Sequence, residues 1–175
     1  MKRLLLPIHR ATRFALVGPH YPENLGAAAR AMKTMGFSRL TLVNPGRLAS
    51  PEHEMARKMA VKSLDVLESA EIVDTLVDLL TPDSLVLATT SRRGVSGVLS
   101  PRHAARTAYQ RAERGGQVLV IFGNEKSGLA GDDLCLAHES VRIPMAANQP
   151  SINLAQAVQI MAYELLLAAL EQSPP

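Results

Sequence analysis

Three stretches of this 175-residue chain carry side chains whose types and spacing could do chemistry. The first, Pro22-Glu23-Asn24-Leu25-Gly26-Ala27-Ala28-Ala29-Arg30, opens a helix whose apolar stripe is Leu25, Ala28, Ala29, Met32 and Met35. Arg30 lies roughly 140° around from Leu25, at ~100° per residue, so it is off the stripe yet close to the helix mouth. Taken singly, Asn24 reads as an N-cap and Arg30 as a solvated charge. Taken together they are an amide and a fixed cation at one helix end. Gly26 costs roughly 1 kcal/mol against Ala in a first turn, a cost that suits a place where something approaches the backbone. The second stretch, Val118-Leu119-Val120-Ile121-Phe122-Gly123-Asn124-Glu125-Lys126-Ser127-Gly128-Leu129, runs an apolar strand into a glycine-bracketed loop with adjacent opposite charges. It is either a tight turn with a surface Glu and Lys or a binding wall that offers backbone N–H groups and a carboxylate. In the third, Ile143-Pro144-Met145-Ala146-Ala147-Asn148-Gln149-Pro150-Ser151-Ile152-Asn153-Leu154, an uncharged irregular loop enters a long apolar helix. Ser151 is the expected N-cap. Asn153 is poor in a first turn by propensity, and a polar pair at this mouth suits an uncharged polar ligand group.

Something must hold these stretches together. The short, continuously apolar runs Phe14–Gly18, Leu40–Val43, Leu85–Thr89, Val118–Phe122 and Val141–Ile143 predict strands covered on both faces, with Glu71–Val73 a weaker candidate. Helical patterns fall between them at Leu25–Met35, Pro51–Met59, Asp74–Leu80, Pro101–Arg114 and Ile152–Leu170, with a short turn near Leu134. Ser50-Pro51 and Ser100-Pro101 each pair an N-cap with an N1 proline, and Gly36 and Gly115 follow last turns. This alternation predicts an α/β domain, a mostly parallel sheet with helices on both faces. Ligands in such sheets sit beyond the C-terminal strand ends, where all three stretches begin or end.

Other chemistries are excluded by what is missing. No GxGxxG follows a predicted strand. Gly123–Gly128 has the glycine spacing of a phosphate loop, but Leu129-Ala130 stands where Lys-Ser/Thr would be. The five histidines show no paired metal spacing, and no GxSxG elbow is present. Cys135 is the single cysteine, which excludes a disulfide framework and a cysteine-based zinc site and leaves the cytosol as the expected compartment. The chain is 47% hydrophobic and carries a net charge of +3, so it is not a disordered polyelectrolyte. Arginines outnumber lysines 14 to 5, which favours planar recognition of phosphate or carboxylate or reflects a G+C-rich genome. With three Phe, three Tyr and no Trp, an extended aromatic platform for single strands is not expected. No signal peptide is expected at Met1–Thr12, and Ile152–Leu170 reads as a buried helix because Asn153, Gln156, Gln159 and Glu164 interrupt it.

In these three stretches the sequence resembles the SPOUT superfamily of RNA methyltransferases, and within it the TrmH/TrmJ-like 2′-O-methylating branch. Asn24 to Lys33 matches the first motif, Phe122 to Leu129 the second, and Ile143-Pro144-Met145 with Ser151 to Val158 the third; Thr89-Thr90-Ser91-Arg92 resembles an intermediate loop of the family. Three motifs in order, over about Phe14 to Leu170, make the likeness specific. It implies one domain over residues 1–175 (core about 14–170), a C-terminal deep trefoil knot, a homodimer, and S-adenosyl-L-methionine held in a bent shape by the knotted loops. The chain is expected to lack the C-terminal extension of many TrmJ-like proteins, stopping at Ser173-Pro174-Pro175.

The resemblance also implies roles. Thr89, Thr90, Ser91, Gly123, Ile143, Ser151, Ile152 and Leu154 would line the cofactor wall, many through backbone groups. Arg30 would be the main catalytic residue, with Asn24, Ser151 and Asn153 positioning it and the ribose and Glu125 fixing the second motif. No metal and no membrane is implied. The expected substrate is the tRNA anticodon loop; the alternatives are ribosomal RNA, or an RNA-binding protein on the same fold without catalysis. Candidate RNA contacts are Arg10, Arg13, Arg92, Arg93 and Lys126.

Overall fold

The computed structural model describes Leu4–Gln172; Met1–Arg3 and Ser173–Pro175 lie outside the described residues, and with them the expected stop at Ser173-Pro174-Pro175. The described elements are α1 (Pro7–Ala11), β1 (Thr12–Val17), α2 (Pro22–Thr34), β2 (Leu40–Val43), α3 (Glu54–Met59), α4 (Leu64–Glu68), β3 (Glu71–Val73), a 3₁₀ turn (Leu76–Leu79), β4 (Ser84–Thr89), α5 (Pro101–Glu113), β5 (Gln117–Phe122), α6 (Gly131–Cys135), β6 (Glu139–Val141) and α7 (Leu154–Gln172). The six strands form one sheet in the order β3-β2-β1-β5-β4-β6, every pair parallel.

The alternation of side chains along each strand divides the core. Phe14, Leu16, Leu40, Leu42, Leu85, Leu87, Val118, Val120 and Phe122 face one side, where the helices α1, α2, α5 and α7 pack with α3 and α4 behind. Ala15, Val43, Val86, Ala88, Leu119 and Ile121 face the other, covered by Leu76 of the 3₁₀ turn, Leu129 and the partly buried Leu134 of α6. Helices thus lie on both faces, but unevenly. Phe14 stacks on Phe122 at 6.0 Å and meets Phe37 at 5.2 Å, all three fully buried; each such burial contributes roughly 1.5–3 kcal/mol.

Several predicted boundaries move, each for a local reason. The helix expected from Pro51 starts at Glu54, because the Ser50 hydroxyl accepts from Glu52 N–H and closes a turn first, leaving His53 to cap Met55 N–H at 3.2 Å. The Asp74–Leu80 helix is one 3₁₀ turn, fixed by Asp78 accepting from the backbone and hydroxyl of Thr75. The last strand is Glu139–Val141, not Val141–Ile143. The short helices α1 and α4 carry too few turns to show a period; α1 is fastened by His9, whose Nδ1 accepts from Leu6 N–H at 2.9 Å. Ser100 caps α5 as expected, accepting from His103 N–H.

β6 has a neighbour on each side. Val141 pairs with Thr89 of β4 and bridges to Leu99; Thr90 N–H donates to its carbonyl, Leu99 N–H donates to Ser140 and Arg142 N–H to Leu99. The segment therefore runs between the two ends of the Thr90–Leu99 loop before the chain turns into α7. That helix is long and apolar enough, by length and composition, to cross a membrane, but Leu154, Val158, Met161, Ala162, Leu165 and Ala169 are buried in the core. Most of its expected all-round apolar surface is in fact one stripe, covered within the chain by α2 and α5. Leu166 is half-buried, and the side left open carries Tyr163 and Leu170.

Candidate active site

The three sequence stretches meet at the C-terminal ends of β1, β4 and β5, joined by a chain of polar side chains. Helix α2 begins at Pro22, so Asn24 is not its N-cap but lies inside the first turn, 9% exposed. Its N-cap residue, Tyr21, makes no side-chain cap. Glu125 instead braces the entry to the helix from across the fold: its carboxylate accepts from His20 N–H at 2.9 Å, Tyr21 N–H at 3.2 Å and Asn24 Nδ2 at 2.9 Å. A carboxylate at a helix N-terminus also complements the macrodipole. The relay continues, since Asn153 Nδ2 donates to Asn24 Oδ1 at 3.0 Å. Asn153 Oδ1 in turn accepts from Ala155 and Gln156 N–H, which makes Asn153, and not Ser151, the N-cap of α7. Each amide uses its donor end on one neighbour and its acceptor end on the next, so the orientation of both is fixed by the terminal carboxylate.

The loop after β5 is braced from within. Asn124 donates from Nδ2 to Gly18 O at 2.5 Å and accepts from Lys126 and Ser127 N–H, while its backbone pairs with Gly128. Gly128 takes a positive φ of 71°. A Cβ at Gly123 would lie 2.2 Å from Gly128 C and Leu129 N, so this glycine makes room for its own loop and not for a ligand. Gly26 is likewise explained by the fold, for a Cβ there would lie 1.9 Å from Ala56 O of α3. Asn124 was not among the expected site residues; the Asn two positions before Lys126, at a strand exit, was its only signal in the sequence.

A cavity of about 210 Å³ opens between these loops. Thr89, Thr90, Ser91, Gly123, Ile143, Ser151, Ile152 and Leu154, the eight residues expected on the cofactor wall, all line it, with Phe122, Leu129, Val141 and Met145 adding apolar surface. Thr89 is held by its hydroxyl on Ile121 O at 3.1 Å, and Thr90 accepts from Arg92 N–H. Among the described residues the backbone N–H groups of Ser91, Ile143 and Ile152 have no hydrogen-bond partner, so donors remain for a ligand. Apolar walls with a few orphan backbone donors fit a purine-bearing ligand such as S-adenosylmethionine. No group of three or more His, Cys, Asp or Glu that could hold a metal ion occurs among the described residues.

Other expected residues are not brought to this cavity. Arg30 is exposed on the solvent face of α2, and neither it nor Asn24 nor Asn153 lines the cavity. Asn24, Asn153 and Glu125 are occupied with one another, which makes them positioning residues. Arg10 and Arg13 lie at the N-terminal end of the sheet, opposite the cavity. Arg13 is committed to Glu71 at 2.5 Å and Thr41 at 2.7 Å. Nearby Arg39, held below its usual pKa by burial and by the like charge of Arg13, donates to Arg10 O. Arg92 and Lys126 line the cavity, and Arg93 lies beside Arg92 in the same loop without lining it. Arg92 donates to Leu129 O at 2.6 Å, Arg93 donates to Asn148 Oδ1 at 2.9 Å, and Lys126 Nζ lies 3.1 Å from His20 Nε2. Arg142, which the sequence did not single out, braces the same loop by donating to the Arg92 carbonyl.

A wholly parallel sheet in this order, with three fastened loops at its C-terminal edge and β6 lying between the ends of another, is the α/β architecture of SPOUT-type methyltransferases. The chain overlays a probable methyltransferase from Bordetella pertussis Tohama I with a TM-score of 0.86, at 36% identity over 93% of this chain and 98% of that one. It overlays TrmJ from Z. mobilis ZM4 with a TM-score of 0.80, at 34% identity over 94% and 71%. Residues 11–163 match the SpoU rRNA Methylase family, and the chain belongs to that family. Its sequence is also 41% identical over 158 residues to the tRNA (cytidine/uridine/adenosine-2′-O-)-methyltransferase TrmJ of Pseudomonas aeruginosa, covering 89% of this chain and 60% of that protein. The chain therefore spans about three fifths of that curated relative's length.

Proposed function

We propose that this protein is an S-adenosylmethionine-dependent RNA 2′-O-ribose methyltransferase that works as a cytosolic homodimer on the anticodon loop of tRNA. The observation that carries this reading is the relay Glu125–Asn24–Asn153, which ties the three family motifs to one another beside the cavity. When bound, S-adenosylmethionine would supply a methyl group made electrophilic by its sulfonium, the sulfur–methyl bond breaking to leave a neutral thioether. Thr89–Ser91, Gly123, Ile143 and Ser151–Leu154 would hold it, with apolar side chains against the adenine and backbone groups on its edges. Arg30 offers a planar fork of N–H donors and accepts no hydrogen bond. Its role is to orient the ribose and phosphate and to stabilise the 2′-oxyanion as that oxygen attacks the methyl carbon. The 2′-hydroxyl proton leaves to solvent or an RNA phosphate.

Arg30 stands outside its own cavity, on an exposed helix face, which supports a site completed by a second copy: the Arg30 of one protomer would face the cavity of its partner. Val141 lying between Thr89 and Leu99 supports the deep trefoil knot as part of the same reading. Methyl-labelled S-adenosylmethionine incubated separately with bulk tRNA and with ribosomal RNA tests the substrate. Label in 2′-O-methylnucleosides of tRNA is expected; label confined to ribosomal RNA would reassign it.

A further inference from the structure

We propose that Tyr21 is a nucleobase-stacking residue at the mouth of the cavity, receiving a base next to the methylated ribose; this rests on the RNA methyltransferase reading above. The chain has six aromatic residues among Phe, Tyr and Trp. Phe14, Phe37 and Phe122 are sealed in the core, and Tyr109 is 6% exposed and bonded to Glu113. Only Tyr21 (44%) and Tyr163 (48%) are exposed, and Tyr163 lies further down α7 than Ala157, the last residue of that helix to line the cavity.

Tyr21 is placed and held as a platform. It precedes Pro22, and its N–H is fixed by Glu125, so its backbone is part of the relay that builds the site. Lys126, a cavity-lining residue, sets its Nζ over the Tyr21 ring, 5.7 Å from the centroid. The His20 ring meets Tyr21 edge-on at 4.8 Å and 89°. Lys126 Nζ is also 3.1 Å from His20 Nε2, so the ammonium, the imidazole and the Tyr21 ring hold one another in place. Beside these neighbours Tyr21 still keeps 44% of its surface exposed. A held, half-exposed ring beside an ammonium able to meet a phosphate matches the chemistry of a base with its own backbone. Because Pro22 and Glu125 already order the backbone here, little further ordering opposes stacking.

The chain has no Trp, so Tyr21→Trp creates a single fluorescent reporter. Unfractionated tRNA at low salt is expected to quench it, whereas Tyr163→Trp is expected to stay unchanged. Tyr21→Leu is expected to weaken tRNA binding about 5- to 150-fold, the range for losing one stacked base. Tyr21→Phe, which keeps the ring, is expected to restore it to within about threefold of wild type. Calorimetric binding of S-adenosylmethionine should be the same in every variant, which separates loss of stacking from loss of fold. The proposal is overturned if Tyr21→Leu binds tRNA as tightly as wild type, or if saturating tRNA leaves the Tyr21→Trp signal unchanged. With a wild type that methylates tRNA, either result removes the stacking role alone. A wild type that neither binds nor methylates tRNA or ribosomal RNA removes the functional reading as well.

Discussion

At the scale of single residues, the groups that brace the loops differ from Arg30, the proposed catalytic cation. Glu125, Asn24 and Asn153 spend their donors and acceptors on one another and on two helix N-termini, whereas the Arg30 side chain makes no hydrogen bond or ion pair among the described residues. Arg30→Ala should therefore leave S-adenosylmethionine affinity within a few-fold of wild type and slow single-turnover methylation by roughly 10²–10³, as for loss of one transition-state donor. Arg30→Lys should recover little of that rate, because a point charge cannot replace a planar fork. Calorimetry beside quenched-flow methylation checks both; full activity in Arg30→Ala would return Arg30 to the status of a solvated charge. Asn24 and Gly26 were legible in the sequence because Asn and Gly near a helix start are costly unless used, whereas Arg30, well inside α2, carries no such local cost. The division of labour in the site was not legible. Which amide caps which helix depends on contacts spanning 101 and 129 residues, and no local pattern encodes those.

At the scale of elements, two glycines that looked like openings for a ligand are closures of the protein on itself. Helices α2 and α3 cross at Gly26 with no space for a methyl group, the obstacle being the Ala56 carbonyl. Gly26→Ala should push the helices apart at a cost of about 1–3 kcal/mol, as overpacked sites do. At ~2–4 °C per kcal/mol for a chain of this size, the melting temperature should fall by roughly 2–12 °C in a thermal scan; an unchanged melting temperature would show that the crossing is looser than described. The four longer strands, β1, β2, β4 and β5, were readable because their apolar runs alternate between two buried faces. The start of α3 was misplaced because Ser50-Pro51, which fits a helix entry by type, closes a turn through Glu52 N–H instead. The start of α7 was misplaced because two capping residues, Ser151 and Asn153, compete in the sequence, and only Asn153 lies where it can reach both Ala155 and Asn24.

At the scale of the whole molecule, the basic residues divide between the two ends of the sheet, and only one end faces the cavity. Replacing Arg92 and Arg93 together with Ala should lower the log–log salt slope of RNA binding by up to about two, given just under one unit per phosphate contact and less for single strands. The same change at Arg10 and Arg13 should leave the slope as it was, because Arg13 is already paired with Glu71 on the far side. Dimerisation has a test of its own. Arg30→Ala lacks the proposed catalytic cation, and Ser151→Trp fills the cavity without breaking a hydrogen bond. Each alone should be inactive, and an equal mixture should recover about a quarter of wild-type activity, since random pairing into two-fold dimers rebuilds one of two sites in half of them. No recovery after subunit exchange would place Arg30 in its own protomer's site. The central claim is transfer of a methyl group to a ribose 2′-oxygen, and chemistry offers a direct reading of it. A 2′-O-methyl blocks the in-line attack by which alkali cleaves RNA, so the linkage after the modified nucleotide survives. Wild-type protein, methyl-labelled S-adenosylmethionine and tRNA should yield label in alkali-resistant dinucleotides from the anticodon loop, and Arg30→Ala should yield almost none. Label recovered only in mononucleotides, as base methylation would give, or no label in any RNA, would contradict the account.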